Sequence, residues 1–229
     1  MDLHVWTPDE PPHAAVLVIQ EIFGVGPYIR AVAQRLADAG YLVGAPDIFW
    51  RFAPNWEADH SQAGLEASFE KVQQLDFPKA VGDCIAALEH LRAQPGIDKA
   101  PGVVGFCLGG TMAYLAASRT DVDAAVGYYG TRIHLFTAEG KDIAKALILH
   151  FGELDHTTPP ELLQGQILPA IAGNPNVQPF VYPKMVHAFA NHRRPDTYDA
   201  AVTEVADART FAHFRKWLEP ERQKAAATA

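Results

Sequence analysis

One cysteine, Cys107, stands between glycines in Gly105-Phe106-Cys107-Leu108-Gly109. It follows the apolar run from Val103 and precedes Thr111-Met112-Ala113-Tyr114-Leu115-Ala116-Ala117. That order reads as strand, sharp turn and helix, with the thiol at the turn. Glycines lack Cβ atoms, so G-x-C-x-G can form a nucleophile elbow with cysteine in the serine position. A thiol at a helix N-terminus is favoured as thiolate by unpaired backbone N–H groups and the helix dipole. The same N–H groups can receive an oxyanion. A buried structural cysteine at a tight junction would carry the same residues, so other side chains have to decide between the two readings.

Two further residues fall in the order that acyl-transfer chemistry requires. Asp155 ends "LILHFGELD" and His187 lies in "FVYPKMVHAF", each just after an apolar run. Nucleophile, acid and histidine in that chain order, each on a loop after a strand, is the α/β-hydrolase arrangement. Asp155 alone could cap the helix that starts near Pro159 or Pro160, and His187 alone could be a satisfied histidine at a core edge. Together with Cys107 the two outweigh those separate explanations. A fourth candidate, Glu21, directly follows the apolar run Val16 to Ile19 and Gln20; as a solvated strand end it would need no function. His150, Asp155, His156 and His187 lack a metal-site spacing, so neither metal nor cofactor is expected. Cys84, inside "AVGDCIAAL", reads as a core helix residue, whereas the elbow should expose Cys107.

The elements that must position these groups alternate between short apolar runs and amphipathic segments, which implies α/β. Strands are expected at Ala14 to Ile19, Tyr41 to Ala45, the run delivering Cys107, Ala124 to Tyr129, Ala146 to Phe151 and Gln178 to Tyr182. Helices are expected at Arg30 to Ala39, Glu66 to Gln74, Lys79 to Gln94, Pro160 to Ala172 and Thr197 to Leu218. The sheet should be mostly parallel and doubly wound, with helices on both faces. Pro46 to Leu65, polar, aromatic and rich in breakers, reads as a long functional loop. The whole chain, 1–229, is expected to form one domain, with 222–229 as a flexible tail.

With 27 acidic against 19 basic residues the net charge is −8, and no Lys/Arg cluster could track a phosphate backbone. Nucleic acid is therefore not an expected partner. No stretch approaches a membrane span, and the N-terminus lacks a signal-peptide pattern, so a cytoplasmic protein with two free thiols is expected. The expected partner is a small molecule, and the expected assembly a monomer or small homo-oligomer.

Four motifs in order, "QEIFGV", "GFCLGG", "GELDH" and "HAFA", resemble the dienelactone hydrolase family, the carboxymethylenebutenolidases of the α/β-hydrolase fold. The resemblance spans nearly the whole chain. It implies Cys107 as nucleophile, His187 as base and then acid, and Asp155 as the group orienting the imidazole. It also implies that Glu21 contacts the resting cysteine and helps to generate thiolate, and that the N–H groups of Ile22 and Leu108 form the oxyanion hole. The implied activity is cysteine-dependent hydrolysis of esters or lactones through an acyl-enzyme. A thioesterase, a general carboxylesterase, or a redox or ligand-binding protein on the same fold are the alternatives. The substrate end departs from the family, which holds a carboxylate with two arginines. Here Asn191 and Leu65 fall at those positions, so a neutral or differently anchored substrate is expected. Arg51, Arg193 and Arg194 are the candidate replacement cations.

Overall fold

The computed structural model describes residues 1–219. The expected tail at 222–229 lies outside them. A seven-stranded sheet forms the centre, in the order β1-β3-β2-β4-β5-β6-β7. Its strands are β1 (Leu3–Trp6), β2 (Ala14–Ile19), β3 (Tyr41–Pro46), β4 (Gly102–Phe106), β5 (Ala124–Tyr128), β6 (Ala146–Gly152) and β7 (Val177–Tyr182). All neighbours pair in parallel except β1, which runs antiparallel to β3. Every residue of β2, β3, β4 and β5 is buried, which is why these strands are continuous apolar runs rather than alternating ones.

The helices are α1 (Pro27–Asp38), α2 (Gln62–Gln74), α3 (Phe77–Arg92), α4 (Leu108–Arg119), α5 (Pro160–Leu162), α6 (Leu168–Ile171) and α7 (Ala200–Leu218). Pro27 and Pro78 sit in the first turns of α1 and α3, where a missing N–H costs nothing. Ser61 caps α2 through its hydroxyl, which accepts from the Gly64 N–H, and Asp199 caps α7 in the same way for Val202.

The structure adds to the sequence reading in three places. β1 is a four-residue edge strand, too short to show a period. A 3₁₀ segment, Ile133–Asp142, follows the loop after β5. The single helix expected over Pro160 to Ala172 is interrupted by a π turn at Leu163–Ile167. Pro169 lies just beyond that turn; its ring and missing N–H disrupt the preceding ladder. Pro179 is tolerated in β7 because β7 is an edge strand.

Candidate active site

β4 ends at Phe106 and α4 begins at Leu108, so Cys107 alone makes the turn. Its backbone is at φ 56°, ψ −115°, a conformation that costs a non-glycine residue about 1–3 kcal/mol. The Cys107 N–H donates to the Tyr128 carbonyl at 3.0 Å, and its own carbonyl accepts from the Gly110 N–H at 3.0 Å. The flanking glycines make room for this. A Cβ on Gly105 would lie 1.9 Å from the Gly109 carbonyl oxygen, and one on Gly109 would lie 2.4 Å from that of Ile19. The expectation of an exposed thiol is corrected: Cys107 is only 8% exposed and faces a cavity rather than the surface.

The loops after β6 and β7 bring Asp155 and His187 to this cysteine. His187 Nδ1 lies 2.8 Å from Asp155 Oδ2, and the imidazole lines the same cavity as Cys107. With Nδ1 taken by the carboxylate, Nε2 is the nitrogen left for sulfur. Asp155 Oδ1 accepts from the Thr157 N–H at 2.8 Å and the Thr157 hydroxyl at 2.7 Å. Burial raises the Asp155 carboxyl, but hydrogen bonds from His187 and Thr157 and the His187 charge outweigh it, leaving the group below the usual range. For His187 burial disfavours the cation, yet the Cys107 charge and the Asp155 carboxylate prevail and raise it to about 10. The site therefore favours imidazolium.

Tyr129, at φ 39°, sets its ring edge-on to His187 with centroids 5.1 Å apart, and its hydroxyl lies 3.3 Å from that of Tyr28. Ala188, next to His187, is also at positive φ, 63°. Strained backbone thus surrounds one imidazole. Thr157 and Tyr129 were not singled out from the sequence; "DHTT" after β6 was the available signal for the first, and nothing local marks the second.

The cavity above Cys107 has a volume of ≈ 320 Å³, and Glu21, Ile22, Leu108 and His187 line it. Leu65, Phe69 and Val72, spaced along one face of α2, form its apolar wall. Leu65 therefore lines the cavity above Cys107. Glu21, 3% exposed, does not end in solvent: its Oε1 accepts from Asn191 Nδ2 at 2.9 Å and lies 2.8 Å from His60 Nε2. Asn191 is fully buried beside Glu21. His60, which does not line the cavity, reaches it only through Glu21, and it lies on the stretch from Pro46 to Leu65 that the sequence reads as a functional loop.

Arg51 is not a lining residue. Its guanidinium pairs with Asp83 and stacks over the Trp50 ring, 4.5 Å from the centroid. Arg193 does not line the cavity either; the cations that do are Arg194 and Arg132. His150 is committed elsewhere, with Nδ1 2.8 Å from the Tyr182 hydroxyl, and burial lowers its affinity for a proton to about 3. Among the described residues, no three His, Cys, Asp or Glu side chains cluster as a metal site. A larger cavity, ≈ 570 Å³, lies between α1 and α7 but includes none of Cys107, Asp155 and His187, so chemistry rather than size identifies the site.

Comparison with known proteins agrees with the geometry. The model of the dienelactone hydrolase family matches residues 1–218. Carboxymethylenebutenolidase 1 of Cupriavidus pinatubonensis is 35% identical over 216 residues, 93% of this chain and 90% of the relative. Carboxymethylenebutenolidase of Pseudomonas putida is 34% identical over 187 residues, 81% and 79% of the two chains. A crystal structure from Klebsiella pneumoniae subsp. pneumoniae assigned as a dienelactone hydrolase superposes with a TM-score of 0.80 at 25% identity, covering 94% of this chain and 92% of that one. With the elbow, the parallel sheet and near-complete coverage in agreement, the chain belongs to the dienelactone hydrolase family, carboxylic ester hydrolases of the α/β-hydrolase fold.

Proposed function

We propose that this chain hydrolyses small esters or lactones through a covalent acyl-enzyme on Cys107. The observation that carries this reading is the chain of contacts from Asp155 to His187 to a cysteine held at positive φ on an elbow. In the first half-reaction the Cys107 thiolate attacks the carbonyl carbon and the C=O electron pair moves onto oxygen. That oxyanion meets the N–H groups of Ile22 and Leu108; Leu108 is the first residue of α4, where an N–H has no partner within the helix. Collapse of the adduct breaks the bond to the leaving oxygen, which takes the Nε2 proton of His187.

In the second half-reaction neutral His187 accepts a proton from water as the water oxygen attacks the thioester. Collapse releases the acid and restores thiolate and imidazolium. Asp155 holds Nδ1–H throughout, which keeps Nε2 toward the sulfur and stabilises the cation. A lactone that opens to an enolate suits this site, because an enolate departs more readily than an alkoxide.

Turnover of an aryl ester by the wild type and its loss in Cys107→Ala tests the reading. Activity that survives the substitution would overturn it.

Specificity follows from the lining. With Leu65 as an apolar wall and Asn191 behind Glu21, two charge-assisted contacts to a substrate carboxylate are missing, each worth about 1.5–3 kcal/mol. The expected outcome is a higher kcat/KM for a neutral lactone than for its carboxylated analogue. A strong preference for the carboxylate would instead assign the anchoring to Arg132 and Arg194.

A further inference from the structure

Asp155 is 1% exposed and does not line the cavity above Cys107; Thr157 and His187 do. The Thr157 hydroxyl oxygen lies 2.7 Å from Asp155 Oδ1 and 3.2 Å from His187 Nδ1, while Nδ1 itself lies 2.8 Å from Asp155 Oδ2. One small side chain thus touches both the acid and the base. Resting on the reading of Asp155 and His187 as the pair that serves Cys107, we propose that Thr157 is a positioning residue. Its hydroxyl closes a hydrogen-bonded ring with the carboxylate and the imidazole and so holds them in the one arrangement that keeps Nε2 directed to the sulfur.

The hydrogen positions follow from the contacts. A carboxylate oxygen offers only lone pairs, so the hydroxyl proton goes to Asp155 Oδ1. A hydroxyl has a single proton to give, so toward His187 the same oxygen can only accept, and Nδ1 carries the hydrogen. Nδ1–H therefore meets two acceptors, Asp155 Oδ2 and, farther off, the Thr157 hydroxyl. The neutral tautomer with Nε2 free is fixed by both. Turning the carboxylate about its Cβ–Cγ bond would break contacts at both of its oxygens.

The segment Asp155-His156-Thr157-Thr158-Pro159-Pro160 builds this locally. Asp155 Oδ1 also accepts the Thr157 N–H at 2.8 Å, a side-chain turn that draws the threonine back onto its own acid. The Thr158 N–H donates to the Asp155 carbonyl at 3.1 Å, and the Thr158 hydroxyl to the Gly130 carbonyl at 3.3 Å, which ties the turn to the chain just past β5. Pro159 biases Thr158 toward extended backbone, and Pro160 opens α5. The loop has little freedom to carry the Thr157 hydroxyl elsewhere. Thr158 is the internal contrast: it is buried too, but its hydroxyl serves the loop and not the acid–base pair.

The test compares Thr157→Val, which keeps the shape and loses the hydroxyl, with Thr157→Ser, which keeps the hydroxyl. Thr157→Val is expected to lower kcat for an aryl ester roughly tenfold while KM changes by less than about twofold, and Thr157→Ser to recover most of the loss. In an Asp155→Asn background the valine replacement should change kcat by less than about twofold, because the ring is already open. The proton NMR signal of His187 Nδ1–H gives a readout free of turnover: with one acceptor gone it should exchange with water faster in Thr157→Val than in the wild type or Thr157→Ser. Full kcat in Thr157→Val, no recovery in Thr157→Ser, an equal loss without the Asp155 carboxylate, or unaltered Nδ1–H exchange would each overturn the proposal. Repeating the exchange comparison in Cys107→Ala protein separates the two claims. Turnover by that protein would refute the nucleophile assignment, whereas faster exchange on adding Thr157→Val reads the ring without any nucleophile.

Discussion

Cys107 and Cys84 are both buried, yet their surroundings are opposite. Cys107 opens onto a cavity beside the His187 imidazole, while the Cys84 thiol packs on the Met112 sulfur at 3.9 Å within the core. Burial, helped by Asp83, pushes the Cys84 thiol far above the usual range. Iodoacetamide at neutral pH should therefore label Cys107 much faster than Cys84, as peptide mapping would show. The imidazole supplies a second prediction. Burial pulls His187 down and the Cys107 charge, foremost among the opposing influences, pushes it up to about 10. Removing that charge in Cys107→Ala should lower the midpoint of the His187 ring signals in an NMR titration. An unchanged midpoint would mean that sulfur does not face the imidazole. Cys107, Asp155 and His187 were legible from sequence because each follows an apolar run that ends at the same edge of a parallel sheet. His60 was not, because its partners Glu21 and Asn191 lie 39 and 131 residues away and only the closed fold brings them together.

At the scale of elements, small side chains let the chain turn sharply at Cys107 between β4 and α4. Gly105→Ala or Gly109→Ala places a Cβ within 1.9 or 2.4 Å of a backbone oxygen, and backbone cannot step aside cheaply. Each should destabilise the fold by about 1–3 kcal/mol or more in urea denaturation and distort the elbow, so that activity falls as well. Gly82 is the contrasting case. It lies exposed within α3, and a Cβ there meets nothing within 4 Å. Gly82→Ala should raise stability by about 0.5–1 kcal/mol and leave activity unchanged. Central strands such as β2 are readable because burial on both faces demands an unbroken apolar run. The edge strand β1 and the 3₁₀ segment carry no comparable pattern, and the break in the helix after Pro160 needed the local geometry around Pro169.

At the scale of the whole molecule, the sheet order places the turns after β2, β4, β6 and β7 along one edge, and these carry Glu21, Cys107, Asp155 and His187. The layout follows from parallel pairing, in which every strand delivers its C-terminal end to the same side. No helix of the described residues is long and apolar enough to cross a membrane, and the acidic net charge of −8 accompanies a site whose lining cations are few. The central claim is that Cys107 carries the acyl group. Intact-mass spectrometry of the protein, quenched in acid during turnover of an aryl ester, tests it most directly. The expected result is a population heavier by one acyl group, mapped to the Cys107 peptide and absent from Cys107→Ala. Continued turnover by Cys107→Ala, or an acyl group mapped to any other residue, would contradict the account.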